Sequence, residues 1–240
     1  MHILLTRPER SGRSFAQKLR AAGHQTTIAP VLDIRPCGNL PDAGGYDGLL
    51  ATSANAFRCL PADAALAQWI RRPLFCVGER TAAAARSRGL PKTSVTAAHA
   101  GELLSQLPRF RPPPARLCYL AGRDRKPTLE QGLQQAGYEV ETQVVYEAVP
   151  APDLAVPGRE ALHAGTIDAV MHFSRRSAEV FIQLVERAGL AAQAAAAQHI
   201  CISTDAAHGL DRLGAKTISI AARPDAEAMI EALPRQPPDC

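Results

Sequence analysis

The chain contains an internal repeat, and this limits its possible folds more than any other feature. Ile3–Pro36 aligns without a gap on Leu117–Pro150, so that Gly23 falls on Gly137. Two shorter blocks recur later in the same order: Tyr46–Leu49 on Ile167–Val170, and Cys76–Glu102 on Cys201–Glu227. Three blocks in one order indicate that an ancestral unit of about half this length was duplicated.

Each copy has the pattern of strands alternating with helices. In the first copy, strands are expected at Ile3–Thr6, Thr27–Ile34, Gly48–Ala51, Leu74–Val77 and Ser94–Thr96. Helices are expected at Ser11–Ala22, from Asn55, at Thr81–Arg88 and at Gly101–Leu107, and the second copy repeats the plan through Ile200–Ser203, Thr217–Ala221 and Asp225–Leu233. This alternation predicts parallel sheets that are covered on both faces by helices. A proline-rich connector, Pro108–Pro114, is expected between the copies.

The second strand of each copy is longer than a plain tandem requires. Thr26–Arg35 and Glu141–Val149 both exceed the usual strand length of about 5–6 residues. We therefore expect these two strands to extend beyond one domain.

Composition excludes several classes of protein. The chain has 240 residues, is 46% hydrophobic and carries a formal net charge of +4. The length fits one large domain or two small ones, and the hydrophobic fraction is typical of a folded protein. Basic residues are spread along the chain without the stripe that favours nucleic-acid binding, so no nucleic-acid partner is expected.

Membrane and disulfide features are also missing from the sequence. The charge-free run Ala188–Thr204 falls short of the ~20 apolar residues that a spanning helix needs. The start, Ile3–Leu5 followed by Arg7-Pro8, lacks the pattern of a secretory leader. The six cysteines form no C-x-x-C pair and are expected to be buried free thiols: Cys37, Cys59, Cys76, Cys118, Cys201 and Cys240. A cytoplasmic location is therefore expected.

Familiar catalytic motifs are absent, but hydroxyl side chains recur after predicted strands. The glycine-rich phosphate motifs and G-x-S-x-G do not occur, and no metal is expected because His, Cys and carboxylates lack ligand spacing. The recurring segments are Thr52–Asn55, Val77–Thr81 and Phe173–Ser177. They are explained either as helix caps or as a site for an anionic ligand at the carboxyl ends of strands.

Short segments spread over nearly the whole chain form one ordered set: Thr6–Pro8, Tyr46-Asp47, Thr52–Ala56, Val77-Gly78 with Thr81-Ala82, Val144–Tyr146, Phe173-Ser174 with Ser177-Ala178, and Ala222–Pro224. Their order and spacing resemble the uroporphyrinogen-III synthase family.

This resemblance implies a fold of two flavodoxin-like or Rossmann-like α/β domains. They would be joined by a two-stranded antiparallel ladder, with a cleft between the domains. Residues 1–35 and 151–240 would form one domain, and residues 36–149 the other. The linker strands would lie at about residues 30–36 and 144–150.

The resemblance also implies a reaction. The substrate would be hydroxymethylbilane, a linear tetrapyrrole with eight carboxylates, which is cyclised with inversion of ring D and loss of water. No cofactor would be needed. A monomer is expected, and a transient contact with the preceding enzyme of the pathway is left open.

Site residues follow from the resemblance position by position. Tyr146 is the candidate acid, because a phenol with a pKa near ~10 stays protonated at pH 7 and can donate a proton; the alternative is a tyrosine that only packs on the ladder. Substrate contacts are implied for Thr52, Ser53, Asn55, Gly78, Thr81 and Ser174. Weaker candidates for contacts with substrate carboxylates are Arg7, Arg123, Arg175 and Arg176, for which the alternative is a solvated surface charge.

Two points count against a simple transfer of function. Ser203 and Ala206 stand where many relatives keep a Gly and a Thr, which puts a site role for this segment in doubt. A non-catalytic two-domain module that binds an anion or a tetrapyrrole as a sensor could share the fold. Separation of isomers I and III after incubation with hydroxymethylbilane would decide between the two functions.

Overall fold

The computed structural model describes residues 1–62, 66–90 and 93–234. The chain divides into two compact units. Unit 1 consists of Met1–Asp33 and the described residues from Val149 onward, and unit 2 is the continuous segment Ile34–Ala148. Among the described residues, no helix is both long enough and apolar enough to span a bilayer.

The elements follow one another in the order that the repeat predicts. The strands are β1 (His2–Leu5), β2 (Gln25–Ile28), β3 (Leu32–Pro36), β4 (Gly48–Ala51), β5 (Leu74–Val77), β6 (Val95–Ala97), β7 (Arg116–Gly122), β8 (Glu139–Pro150), β9 (Ala169–His172), β10 (Gln198–Cys201) and β11 (Ile218–Ile220). The helices are α1 (Glu9–Ala21), α2 (Ala54–Arg58), α3 (Glu79–Arg86), α4 (Ala100–Phe110), α5 (Thr128–Gln135), α6 (Val156–His163), α7 (Arg175–Arg187), α8 (Ala191–Ala196), α9 (Thr204–Ala207) and α10 (Ala226–Glu231). Short 3₁₀ turns lie at Leu66–Trp69 and Leu210–Leu213.

The two sheets interleave the two copies of the repeat. The sheet of unit 1 has the order β11-β10-β9-β1-β2, and all of its described pairs are parallel. The sheet of unit 2 has the order β3-β8-β7-β4-β5-β6, and its pairs from β8 to β6 are parallel. Each sheet thus joins the first two strands of one copy to the last three of the other, and the sheet of unit 2 has β3 as an additional edge strand. This confirms the predicted fold class of two parallel α/β sheets.

Both faces of the unit 2 sheet are packed, which explains why its strands are almost continuously apolar. Leu49 and Cys76 belong to a buried cluster on one face, whereas their chain neighbours Leu50 and Phe75 belong to a second cluster on the other. Because successive side chains of a strand point to opposite faces, this division requires a helical layer on each side.

An aspartate directly before β4 in the first copy, and one directly before β9 in the second, fasten those strands to their sheets. The Asp47 N–H donates to the carbonyl of Arg116 at 2.7 Å, and an Asp47 carboxylate oxygen accepts from the Arg116 N–H at 2.9 Å. Asp168 makes the same two bonds with His2, at 2.9 and 2.6 Å. The repeated aspartate of the sequence alignment is therefore a structural clamp in both units.

Three sequence expectations are wrong in detail. Thr26–Arg35 is not one strand: β2 ends at Ile28 and β3 begins at Leu32, because Pro30 between them has no N–H to donate to a ladder. The connector starts later than Pro108, since α4 continues to Phe110 with the proline in its last turn. Cys37 is a free thiol but is exposed, because it lies just beyond the end of β3.

The other described cysteines match the expectation of buried free thiols. Cys59, Cys76, Cys118 and Cys201 are buried and unpaired, and burial raises the pKa of the Cys76, Cys118 and Cys201 thiols to about 12. Cys240 lies outside the described residues.

Candidate functional site

The unit 2 sheet has a topological switch point between β4 and β7, because the chain proceeds to opposite sides of the sheet after these two strands. The candidate site lies at their carboxyl ends. β4 and β7 are neighbours in the centre of the sheet, while the chain leaves them in opposite directions towards β5 and β8. Such a switch point leaves a gap between the two departing loops, where open α/β sheets bind ligands. Thr52 follows β4, and Arg123 follows β7.

A hydrogen bond spans the switch point. The Thr52 Oγ1 lies 2.8 Å from the phenol oxygen of Tyr119, which belongs to β7. Tyr119 is buried, and this burial raises the pKa of its phenol. The pair therefore fixes the end of β4 to β7, and the Tyr119 hydroxyl stays protonated at neutral pH.

Ser53 begins α2 and also contacts the candidate acid. Its backbone is extended, and its side-chain oxygen accepts from the Asn55 N–H at 3.2 Å, as a helix-capping serine does. The Ser53 side chain also lies near the Tyr146 phenol and lowers its pKa in part. The structure thus brings together Thr52, Ser53, Asn55 and Tyr146, four of the residues predicted from the sequence.

Tyr146 lies on β8, half-buried at the same edge of the sheet. Its ring packs against the cluster that contains Leu49 and Val145. Burial raises the pKa of the Tyr146 phenol, while the nearby Ser53 side chain opposes this shift in part. The phenol therefore remains protonated at pH 7 and is able to donate a proton.

Gly78 and Thr81 lie after the next strand of the sheet, β5. Gly78 has a φ of +82°, in the left-handed region that favours glycine, and its N–H donates to the carbonyl of Ala97 at 2.7 Å. It starts α3 without any side-chain cap, whereas Thr81 is buried within the first turn. The backbone N–H groups that begin α3 are consequently not covered by a capping side chain.

Arg123 is exposed and is already paired. Its Nε donates to a carboxylate oxygen of Glu147 at 2.8 Å, and this interaction raises the pKa of the guanidinium. Arg125 pairs in the same way with Glu130 at 2.6 Å. These cations would have to share their donors between a protein carboxylate and any anionic ligand.

The remaining predicted residues belong to unit 1, at the equivalent edge of its sheet. Arg7 follows β1, and its guanidinium carbon lies 4.3 Å from the ring centroid of Phe173, which follows β9. Ser174 caps α7 by accepting from the Ser177 N–H at 3.2 Å. Arg175 pairs with Glu179 one turn along α7, at 2.8 Å.

The match to known proteins settles the family. The family model described as "Uroporphyrinogen-III synthase HemD" matches residues 13–231, which is most of the chain. The chain belongs to the uroporphyrinogen-III synthase family. It is accordingly a cyclising hydro-lyase of tetrapyrrole biosynthesis. No curated protein sequence matches it.

Solved structures of uroporphyrinogen-III synthases share the fold. The chain is similar to the uroporphyrinogen-III synthetase of Helicobacter pylori 26695, with a TM-score of 0.63, 20% identity and 96% of each chain covered. It is also similar to a mutant uroporphyrinogen III synthase of the extremely thermophilic bacterium Thermus thermophilus, with a TM-score of 0.51, 19% identity and 96% of each chain covered.

The departure of this synthase from the family pattern at Ser203 has a local explanation. Ser203 follows β10, and its hydroxyl oxygen accepts from the Ala206 N–H at 3.3 Å to begin α9. Ala206 itself is buried. Ser203 therefore acts as a helix cap, and Ala206 presents no hydroxyl at this edge.

Three residues at the carboxyl edges of the two sheets were not predicted from the sequence. Tyr119 and Gly122 lie in the apolar strand β7, and Phe173 was noted only as part of a motif. A tyrosine inside a buried apolar run needs a hydrogen-bond partner, so Tyr119 could have been flagged on that ground. Nothing in the sequence marks Gly122, because it lies against the Tyr146 ring only through the pairing of β7 with β8.

Metal ligands do not come together in the part of the chain that the structure describes. Within it, no group of three or more His, Cys, Asp or Glu side chains could hold a metal ion. Independence from metals stays a prediction for the assay of the enzyme.

Proposed function

We propose that the switch point of unit 2 holds the reacting end of hydroxymethylbilane while it closes to uroporphyrinogen III. The observation that carries this proposal is the half-buried Tyr146 phenol, which lies near Ser53 beside the ends of β4 and β7. A protonated donor at a predicted ligand-binding edge is what departure of a hydroxyl group requires.

In the proposed reaction, Tyr146 donates its proton to the hydroxyl at the end of the substrate, which leaves as water. The terminal carbon left on ring A then forms a bond with the substituted carbon of ring D. The bond between that carbon and the bridge from ring C breaks and re-forms at the free α-carbon of ring D, which inverts the ring. Loss of the proton from this α-carbon completes the product and balances the proton that Tyr146 donated. Because the raised pKa keeps the phenol protonated at neutral pH, no second acid is needed. Holding the folded chain in a reactive conformation could lower the barrier by up to about 7–11 kcal/mol.

The predicted substrate contacts suit a ligand that carries many carboxylates. In unit 2, Thr52, Ser53 and Asn55 provide hydroxyl and amide groups, and Arg123 provides a guanidinium. The start of α3 after Gly78 provides uncapped backbone N–H groups, with Thr81 buried in its first turn. In unit 1, Arg7, Ser174 and Arg175 lie at the carboxyl edge of the sheet. Guanidinium groups and the starts of helices both stabilise carboxylates, which supports their proposed role.

The proposal includes the domain arrangement expected from the resemblance, with residues 1–35 and 151–240 in one domain and 36–149 in the other. Two hydrogen bonds support an antiparallel ladder: Ala151 donates to the carbonyl of Val31 at 2.9 Å, and Cys37 donates to that of Val145 at 3.2 Å. The partner's number falls as the chain's number rises, as antiparallel pairing requires.

A cytoplasmic location and a monomeric state are also part of the proposal. The free cysteines among the described residues support a reducing compartment.

Substitution of Tyr146 by Phe tests the proposed acid. We expect turnover to fall by about 10²-fold, the low end of the range for general acid catalysis, because loss of the hydroxyl is partly spontaneous. The product should still be mainly isomer III, since the fold of the substrate and not the acid sets ring inversion. Rate, isomer ratio and Tm are measured on freshly generated hydroxymethylbilane.

Tyr138→Phe is the matched control. Its phenol is also buried in unit 2, where it donates to the carbonyl of Arg111 at 2.7 Å, and it should affect Tm but not turnover. A full rate for Tyr146→Phe would remove the acid from the mechanism. Failure of the unmodified chain to form isomer III would favour the sensor function instead.

A further inference from the structure

The pairing of β7 with β8 changes register beside Tyr146. The two strands pair residue for residue from Arg116 with Glu139 up to Ala121 with Val144, and then Gly122 pairs with Tyr146. Val145 is therefore an extra residue on β8, which makes the end of this pair a β-bulge.

The bulge explains how two successive residues of β8 face the same core. In a regular strand, Val145 and Tyr146 would point to opposite faces. Here Val145 is fully buried in the cluster around Leu49, and the Tyr146 ring packs against that same cluster. The N–H of Arg123 donates to the carbonyl of Tyr146 at 2.9 Å and fixes the backbone just after the bulge.

Gly122 is the residue over which the Tyr146 ring lies. A Cβ at position 122 would stand 2.6 Å from the ring Cζ and 2.8 Å from both the Cε2 and the phenol oxygen. These distances are far below the usual separation of about 3.5–4.0 Å between nonbonded carbons. Gly122 does not have a positive φ, so its missing side chain matters for space and not for backbone conformation.

The atoms that a Cβ would meet are those at the hydroxyl end of the ring. A larger residue would therefore push the phenol away before it disturbed the rest of the strand. The displaced hydroxyl would move relative to Ser53, and its distance to a bound substrate would change.

We propose that Gly122 is a positioning residue, which sets the place of the Tyr146 hydroxyl by leaving room for its ring at the bulge. This inference rests on the proposed role of Tyr146 as the acid. The inference adds that the residue of β7 that pairs with the acid must carry no side chain.

The test is a cycle of Gly122→Ala and Tyr146→Phe. Because misplacement of a reacting group by about 1 Å can cost up to 10²-fold, we expect Gly122→Ala to lower kcat by roughly 10- to 10²-fold with KM little changed. In the Tyr146→Phe background, the same substitution should have almost no further effect on kcat. Gly101→Ala is the matched control, because a Cβ there meets nothing closer than 3.4 Å.

The outcomes separate this inference from the proposed function. A slow Tyr146→Phe with a full-rate Gly122→Ala overturns the positioning role alone. An equal loss in the Tyr and Phe backgrounds also overturns it, because Gly122 would then act without the hydroxyl. A full-rate Tyr146→Phe overturns the acid and the positioning role together.

A second cycle in Tm covers the case in which Gly122→Ala folds poorly. Tyr146→Ala removes the ring, so Gly122→Ala should lower Tm when Tyr146 is intact but leave it unchanged in the Tyr146→Ala background. If Gly122→Ala still lowers Tm in the Tyr146→Ala background, the alanine destabilises the bulge itself, and the inference is overturned.

Discussion

Two histidines inside unit 1 form a hydrogen-bonded pair whose protons can be assigned. His199 Nε2 lies 3.0 Å from the carbonyl of Ala194, which only accepts, so this nitrogen carries the proton. The neutral His199 then accepts at Nδ1 from His172 Nε2, at 2.9 Å. The other nitrogen of His172, Nδ1, is buried without a partner.

Burial keeps both imidazoles neutral in the folded state. It lowers the pKa of His172 well below its usual value, with the neighbouring His199 adding to the effect, and it lowers the pKa of His199 as well. In the unfolded chain each pKa returns to about 6.5, so below that pH the unfolded state binds more protons than the folded one. The free energy of unfolding must therefore fall as the pH drops below about 6.5.

We expect His172→Gln to reduce this acid sensitivity. A glutamine amide can donate to His199 Nδ1 and does not titrate, so one proton is removed from the linkage. The slope between pH 5 and pH 6.5 should fall by up to about 1.4 kcal/mol per pH unit, as measured by urea unfolding. His163→Gln, at an exposed position in α6, should keep the full slope. An unchanged slope in His172→Gln would exclude the pair as its source.

At the residue scale, apart from positions that the family resemblance indicates, such as Tyr146, a role is predictable from the sequence only where it is local. Ser53 and Ser174 were predicted because a capping residue acts on the helix that follows it directly. Gly122 and Tyr119 could not be assigned a role, since each depends on a partner in another strand or loop. Spacing along the chain carries no information on such contacts until the register is known.

Among the elements, the short helix α2 depends on a residue beyond its own sequence. It has five residues, which is too short to be stable by itself. The Arg88 guanidinium, which follows α3, donates to the carbonyls of Leu60 at 2.8 Å and Pro61 at 2.5 Å, and more weakly to that of Phe57 at 3.3 Å. Arg88 thereby satisfies carbonyl groups at the end of α2 that the helix leaves unpaired.

Arg88→Ala should therefore destabilise unit 2. Loss of a cation that is bonded to several carbonyls should lower the free energy of unfolding by about 1.5–3 kcal/mol, as measured by chemical denaturation. Arg86→Ala is the matched control, because Arg86 pairs with Glu79 at an exposed position, which should matter by at most ~1 kcal/mol. Equal effects of the two substitutions would contradict this role of Arg88.

Element bounds were predictable where an apolar run determines them, and less so where a single proline or a bulge does. The spans of β4 and β5 agree with expectation because each is a short, mostly buried apolar run of four residues. The break between β2 and β3 was missed because β-branched residues on both sides of Pro30 favour a strand. The bulge at Val145 has no sequence signal, since valine is an ordinary strand residue.

At the scale of the whole molecule, unit 2 is an insertion within unit 1. Every strand described for unit 2 after β3 lies within Ile34–Ala148 or begins there, whereas unit 1 needs strands from both ends of the chain. Alternation of strands and helices predicted the two parallel sheets, but it could not assign strands to sheets. The segments β1-α1-β2 and β7-α5-β8 are so alike that only the family resemblance indicated the exchange.

Fragments should reflect this division. Residues 34–148 contain a complete set of neighbours for β4 and β7, and should unfold cooperatively as an isolated domain in urea, followed by circular dichroism. Residues 1–114, one copy of the repeat, lack β9 on one side of β1 and β7 on one side of β4, and should show no cooperative transition. A stable fragment 1–114 would contradict the interleaved arrangement.

The insertion also has a consequence for synthesis on the ribosome. β1 and α1 emerge first, yet β9, which covers one edge of β1, follows only after all of unit 2. Meanwhile β4, β5 and β6 are complete before β7 exists, and the place beside β4 is vacant. The segment β1-α1-β2, the first-copy counterpart of β7-α5-β8, is already present in the nascent chain. Because an unpaired strand edge favours pairing with another strand, this segment can take the place of β7 beside β4. Synthesis thus offers the first copy a transient pairing position beside β4, which it must leave once β7 emerges.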